Sequence, residues 1–515
     1  MSHFASHPAG SGVHPGLEAV LAPGRGGDAV ARGRIDELVF AHLAKAGVAS
    51  AGLSSDEVFL RRACLDTIGT LPTAQEAATF LASTDPKRRT ALIDQLLQRD
   101  EFPVYWAMKW SDLLRIKAEF PINLWPTAAQ EYYRWLRESL EKNKPYDQFA
   151  RELLTSSGSN FRVGPVNFYR ALQNREPQSL AQAVALTFLG VRTEKWPAAR
   201  RAAMAIFFSQ VGYKTTGEWK EEIVFFDRSK SIGTADAVFP DGSRTRLQAG
   251  RDPRLDFADW LTGPRNPYFA RNIVNRIWAW LYGRGIVEEP DDMRPDNPPL
   301  YPDLLAFLEA ELVSSSYDLK HIYRLILNSS TYQLSSIPRS AKPEAAKNFD
   351  RYPLRRLDAE VLIDALNQIT GTTEQYFSAV PEPYTIMPNG ERAIALPDGS
   401  ISSSFLELFG RSPRSTGMES ERNNLPTSAQ RLYLLNSSQV ERRIEQGPAL
   451  QDIFRKSEPR AVLTGLYLTI LSRYPTEEEV KIAMAYTQSS GLDRRKAAID
   501  VTWALINSTE FLYRH

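Results

Sequence analysis

The spacing of apolar positions divides the chain into a long helical part, a short alternating part and a second long helical part. From Arg34 onward, IDELVFAHLAKAG repeats its apolar residues every three or four positions, as one face of an amphipathic helix does. Ser54-Ser55-Asp56 supplies the cap for the next helix, DEVFLRRACLDTIG. In LPTAQEAATFLAS, Thr73 and Glu76 stand three apart and predict a capping box. DPKRRTALIDQLLQRD follows, then the aromatic helix EFPVYWAMKWSDLLRIK, whose Tyr105, Trp106 and Trp110 are expected in the core. Lys144-Pro145 splits the next stretch into two helices, because proline removes a helical amide. SLAQAVALTFLGV is apolar enough to be central, and WPAARRAAMAIFFSQVGY reads as one more helix.

Residues 216–250 alternate instead, with Asp241-Gly242 placed as a hairpin turn. Helices return with Asn266-Pro267, where asparagine caps and proline occupies the first turn. The helix predicted from Tyr268 to Tyr282 has an apolar stripe of Phe269, Ile273, Ile277 and Trp280. Its polar stripe is Arg271, Asn272, Asn275 and Arg276, and Gly283 and Gly285 can supply the positive φ that ends it. Asp358 is expected to cap DAEVLIDALNQITG. Residues 372–415 are rich in Pro, Gly and Ser and read as a long loop, a length that is often functional. The tail to His515 is helical. The expectation is a mainly α protein with two helical regions, 34–215 and 251–515, joined by a 216–250 linker with a small β-hairpin; residues 1–33 read as disordered.

Composition narrows the chemistry. A net charge of +1 in 515 residues gives no reason to expect wholesale nucleic-acid binding. No run of 18 apolar residues exists to span a membrane, and the first 16 residues lack the pattern of a secretion signal. One cysteine, Cys64, permits no internal disulfide and reads as a buried, inert thiol. Three of the six histidines fall in the first 14 residues, so no histidine pair suggests a metal site; His321 reads as a packed helical residue. P-loop, G-x-G-x-x-G and G-x-S-x-G patterns are all missing.

Two long phrases resemble a known family. DEVFLRRACLDTIGTLPTAQEAATFL with ALIDQLLQRDEF and WAMKWSDLLR is similar to the N-terminal domain of the planctomycete cytochrome-c-associated family of unknown function. DPRLDFADWLTGPRNPYFARNIVNRIWAWLYGRGIVEEPDDMRPDNPP, with YDLKHIYRLILNSSTYQLSS, resembles its C-terminal partner domain. The resemblance implies no established activity. It implies that relatives are usually exported, and many carry a separate cytochrome c domain. Relatives usually have C-x-x-C-H after F-L-G-V; here Phe188-Leu189-Gly190-Val191 is followed by Arg192-Thr193-Glu194-Lys195-Trp196-Pro197. They typically read C-E-C-E-R where this chain has Met418-Glu419-Ser420-Glu421-Arg422. Haem attachment in that manner is therefore ruled out. Two thiol motifs lost together suggest segments that meet in space in the relatives and share a disulfide or a metal.

What remains is carboxylates, arginines and amides. Asp291, Asp292 and Glu421 are the candidate catalytic acids; Arg271, Asn275, Arg276, Arg294, Glu419 and Arg422 are the candidate binding residues; no metal or cofactor is expected. Three classes stay open: a non-catalytic binding or scaffold protein, a hydrolase or lyase acting on carbohydrate, and a redox protein, which the missing C-x-x-C-H disfavours. A carbohydrate or a protein is the partner class. The location expected from the sequence as given is cytoplasmic, or periplasmic if the start codon is misassigned.

Overall fold

Capping chemistry sets the first helices where the sequence places it. In the computed structural model, which describes residues 27–515 apart from 343, 344, 490 and 492, the Ser55 hydroxyl accepts from the Val58 amide at the start of α1 (Asp56–Thr67). Thr73 and Glu76 exchange both bonds of a capping box, at 3.1 and 2.7 Å. Residues 1–26, most of the segment expected to be disordered, lie outside the described residues. Residues 27–33 have almost no regular structure but are anchored: Ser330 donates its hydroxyl to the Val30 carbonyl at 2.6 Å, and Asp28 pairs with Arg339.

The aromatic helix α2 (Glu101–Leu113) buries Tyr105, Trp106 and Trp110 at 2 % exposure or less. The split at Lys144-Pro145 holds, with helices over Pro126–Glu141 and Tyr146–Thr155. The expected helix from Trp196 is shorter than its apolar pattern suggests. It ends at Ala205, passes through a 3-10 turn at Ile206–Phe208, and the chain then extends. Val211 and Gly212 face Phe226 and Phe225 across a strand pair there, and those contacts override the helical spacing.

The β content exceeds the single hairpin expected. β1 (Gly158–Ser159), β2 (Val211–Thr215) and β3 (Glu222–Phe226) form an antiparallel sheet in the order β1-β3-β2. The Asp241-Gly242 hairpin is present as β4 (Ala235–Val238) and β5 (Arg244–Leu247), with Gly242 at φ +90. Helices nevertheless dominate and the architecture is mainly α, as the pattern predicts.

After a helix at Pro253–Leu261 that buries Phe257 and Leu261, the second helical region centres its core on α3 (Phe269–Tyr282). Trp280 on α3 lies 5.3 Å from Trp106 and 5.8 Å from Trp110 on α2, ring centre to ring centre, so the two regions share one aromatic core. The buried apolar cluster runs from Ile35 to Phe511 without a break between regions. A two-residue strand, β6 (Arg355–Arg356), precedes α4 (Ala359–Thr370) and pairs antiparallel with β7 (Tyr513–Arg514) at the end of the chain. The long loop contains only a 3-10 turn at Ala393–Ala395, a short helix at Ser404–Leu408 and a bridge between Phe377 and Ser402. Among the described residues, no helix is long and apolar enough to cross a membrane.

Candidate functional site

The site is built around the two faces of α3. The helix begins at Phe269 with Tyr268 at its N-cap, two residues beyond the Asn266 cap expected, although the Asn266 side-chain oxygen still accepts from the Tyr268 and Phe269 amides at 2.9 and 3.0 Å. Gly283 ends it at φ +73. Gly285 does not have positive φ; glycine is needed there because a Cβ would lie 2.2 Å from the Val287 carbonyl oxygen. The apolar stripe is buried, but so is most of the polar one: Asn272, Asn275 and Arg276 are all 0 % exposed.

A buried polar side chain must find partners, and these find backbone. Asn275 donates to the Val287 carbonyl at 3.1 Å and accepts from the Val287 amide at 2.8 Å. Asn272 donates to the Thr187 carbonyl at 3.0 Å. Arg276 donates to the carbonyls of Thr187 and Leu186 and pairs with Asp291 at 2.6 Å. Its targets lie at the C-terminal end of the predicted central helix, where carbonyls lack helical partners. The polar stripe thus fastens α3 to the Val287–Asp291 loop on one side and to the 185–189 segment on the other. Arg271, half-exposed, pairs instead with Glu309 at 3.2 Å.

The three candidate acids are each engaged separately. Asp291 is 1 % exposed; beyond its pair with Arg276, its second oxygen accepts from the Glu419 amide at 2.7 Å. Asp292 pairs with Arg294 at 2.7 Å, and Arg294 with Asp296 at 3.0 Å. Glu421 accepts from the Ser415 and Thr416 amides at 3.1 and 2.9 Å. Cys64 and His321 complete the accounting. Cys64 is buried and its thiol is pushed up to about 12 by burial. His321 is half-exposed on its helix, 2.9 Å from Glu311.

A cleft of about 730 Å³ opens beside this clamp. Its walls come from Lys109 on α2, Trp280, Gly283 and Arg284 around the end of α3, Glu288 to Asp291, the β6–β7 pair with Asp358, Glu419, Ser420, and residues 422 to 426. Of the candidates read from sequence, Asp291, Glu419 and Arg422 line it. Asp358 is its fixed anion. This side chain makes no cap bond to α4, contrary to the expectation. It accepts instead from Lys109 at 3.1 Å, Arg514 at 3.0 Å and Asn424 at 2.8 Å. Burial works to raise its pKa, but Lys109, Arg514 and Arg422 hold the carboxyl well below its usual range. Lys109 is lowered by burial, with Asp358 opposing. Glu419 goes the other way. Burial raises it and Asp291 and Asp112 add to that, against Lys109 and the Trp280 indole N–H donating at 2.9 Å.

The floor beneath the cleft is one connected set of ion pairs. Lys109, Arg355, Arg411, Arg414, Arg422 and Arg514 share the carboxylates of Asp66, Asp112, Asp358 and Glu360. That is six cations on four carboxylates. Burial lowers Arg422, but Asp112 and Glu360, at 2.8 and 2.6 Å, outweigh it and raise it well above its ordinary value.

Sequence reasoning did not find Lys109, Asp358 or Arg514, which lie far apart in the chain on elements that read as structural. Trp280 had been assigned only to the apolar stripe. A usable signal was the run Arg355-Arg356 before Asp358: two arginines and an aspartate just ahead of an apolar helix exceed what a cap requires.

The two segments that depart from the relatives' thiol motifs are both tied to the same loop. The Met293 amide donates to the Gly190 carbonyl at 2.8 Å, and Arg192 pairs with Glu289 at 2.5 Å. On the other side the Glu419 amide reaches Asp291.

No curated protein and no solved structure matches the chain. Residues 34–196 match PSCyt2, protein of unknown function (DUF1549), and residues 253–487 match PSD1, protein of unknown function (DUF1553). The first match takes in α2 with Lys109; the second takes in α3, the Glu288–Asp291 loop, Asp358 and residues 419–426, so the cleft lies where the two matched regions meet. The chain belongs to the family in which a PSCyt2 domain is followed by a PSD1 domain.

Proposed function

We propose that this is a non-catalytic binding or scaffold protein whose cleft takes a small polar ligand. One observation carries the reading: the charged groups of the cleft floor are committed to one another in a rigid set of ion pairs. Asp358 accepts three donors, Arg422 spans two carboxylates and Asp291 is shared by Arg276 and the Glu419 amide. Such groups shape a surface and present donors at fixed positions, as binding sites require. The volume lies within the range of small-molecule pockets.

A second reading, hydrolysis or elimination on a carbohydrate, is supported by one feature. Glu419 is pushed toward its protonated form while Asp358 is held ionised, and carboxyls driven apart in this way are what acid–base chemistry uses. Calorimetric titration of the full chain with galactotriose and with trigalacturonate, with an assay for new reducing ends, separates the two. Binding predicts saturable heat that weakens in Lys109→Met, without new ends. New ends, abolished in Glu419→Gln, would replace the binding reading with the enzymatic one. No saturable heat and no product from either sugar would defeat both.

A further inference from the structure

We infer that the ligand of this cleft carries an oxyanion, a carboxylate, sulfate or phosphate, seated against Arg284 and Arg356. This rests on the binding reading and specifies its ligand.

Among the described residues six cations share four carboxylates within ion-pair distance, so the paired set itself is cation-rich beneath the cleft. Arg284 and Arg356 then add two further guanidinium groups to the same walls. Among the described residues, neither has a carboxylate within ion-pair distance. Arg356 is 8 % exposed, hydrogen-bonded to the neutral Gln430 side chain, and its guanidinium lies over the Phe409 ring. Burial lowers its pKa, as for a charge taken from water without a counter-ion. Arg284 is half-buried beside the Phe349 ring, and its Nε has no hydrogen-bond partner.

The carboxylates that could cancel this excess are otherwise occupied. Asp291 is consumed by Arg276, and Glu289 by Arg192. Glu288, on the exposed rim, accepts from the Gly285 amide; burial and Glu289 shift it upward while Arg284 and that amide oppose them, and burial shifts Glu419 upward as well. A planar guanidinium without a carboxylate, in a concave site, is the standard receptor for an oxyanion, which it can grip through two parallel hydrogen bonds. A concave cleft of small-molecule size selects a compact anion or an acidic saccharide over a folded partner.

The test compares trigalacturonate with galactotriose, which differ in charge at similar size, on the full chain at low ionic strength. The acidic trimer should bind at least tenfold tighter, an advantage of about 1.4 kcal/mol. Sodium chloride should erode the advantage. Arg284→Gln should remove most of it; this side chain is half-exposed, so the variant should fold, as circular dichroism would verify. Arg356→Gln should act in the same direction. Equal affinity for the two sugars, or a preference that survives Arg284→Gln, overturns the oxyanion inference and leaves the binding reading standing. Inorganic sulfate competing with trigalacturonate supports the inference further, while absence of binding by either sugar defeats both proposals.

Discussion

Asp358→Asn should be far more damaging than Lys109→Met, although the two side chains form one pair. Asp358 is 0 % exposed and neutralises part of a set already short of negative charge. Removing its charge leaves the same six cations on three carboxylates. Lys109 and Arg514, with side chains 9 % and 2 % exposed, would then face each other with one carboxylate fewer between them. Breaking a buried pair by deleting one partner typically costs about 3–5 kcal/mol, since the partner stays buried and uncompensated. Lys109→Met moves the set the other way. It removes a cation from a cation-rich floor, keeps the aliphatic volume, and leaves Asp358 with Arg514 and Asn424 as donors. Its cost should be about 1 kcal/mol or less, of the size seen when a buried charge is replaced by a matching apolar group. The double variant should then be more stable than Asp358→Asn alone. Urea unfolding followed by far-ultraviolet circular dichroism, with the midpoint and slope read for all four proteins, measures this. If Lys109→Met proves as destabilising as Asp358→Asn, or if the two costs simply add, the cation excess in the floor is wrong.

Three further outcomes follow from single side chains. Asp364 is buried and accepts from the Ala393 and Ile394 amides at 2.7 and 3.1 Å; burial raises it to about 6, against Arg392 and those amides. Its folded pKa exceeds the unfolded value of about 3.9, so the folded state holds the proton longer. Its contribution is therefore complete below about pH 4 and is lost by about pH 6, roughly 3 kcal/mol over that window. Asp364→Asn should flatten the fall in stability between those limits, measured as urea midpoints against pH. An unchanged slope would place the titration elsewhere. Gly285→Ala drives a methyl group to 2.2 Å from the Val287 carbonyl and into the Asn275 side chain, so it should lower the thermal midpoint well beyond the roughly 1 kcal/mol of an ordinary Gly→Ala change; Gly217→Ala, with nothing within 4 Å of its Cβ position, is the control. Cys64, buried with its thiol raised to about 12, should react with iodoacetamide only after unfolding. Modification of the native protein at the unfolded rate would contradict that burial.

The helices were legible where their ends are local chemistry. Ser55, Thr73 with Glu76, and Gly283 each act within a few residues, and each does what its type predicts. The β1-β3-β2 sheet was not legible, because β1 pairs with a strand far along the chain and Val211–Thr215 continues an apolar run begun in a helix. The polar stripe of α3 was visible as a pattern but not as a function. Polarity at helical spacing usually marks a solvated face, whereas here Asn272, Asn275 and Arg276 are buried on backbone groups of two distant segments.

The cleft shows the same limit more sharply. Asp358 sits where a cap should be, and a cap needs only the amides of its own helix. The preference for Lys109, Arg514 and Asn424 follows from charge: three donors, two of them cationic and all brought from other elements, outweigh one neutral amide. Those donors arrive from α2, from β7 and from the segment after Arg422, so their convergence depends on the packing of Trp280 against Trp106 and Trp110. Trp280 thus links the two halves of the problem, with its ring inside the shared core and its N–H on Glu419 at the cleft wall. A substitution that kept an aromatic ring in the shared core but removed that N–H, Trp280→Phe, should cost some packing and still fold. It should raise Glu419 further, since it removes a donor that favours the ionised form. The pH midpoint of trigalacturonate binding should then move upward with it. A midpoint that stays in place would separate Glu419 from the ligand.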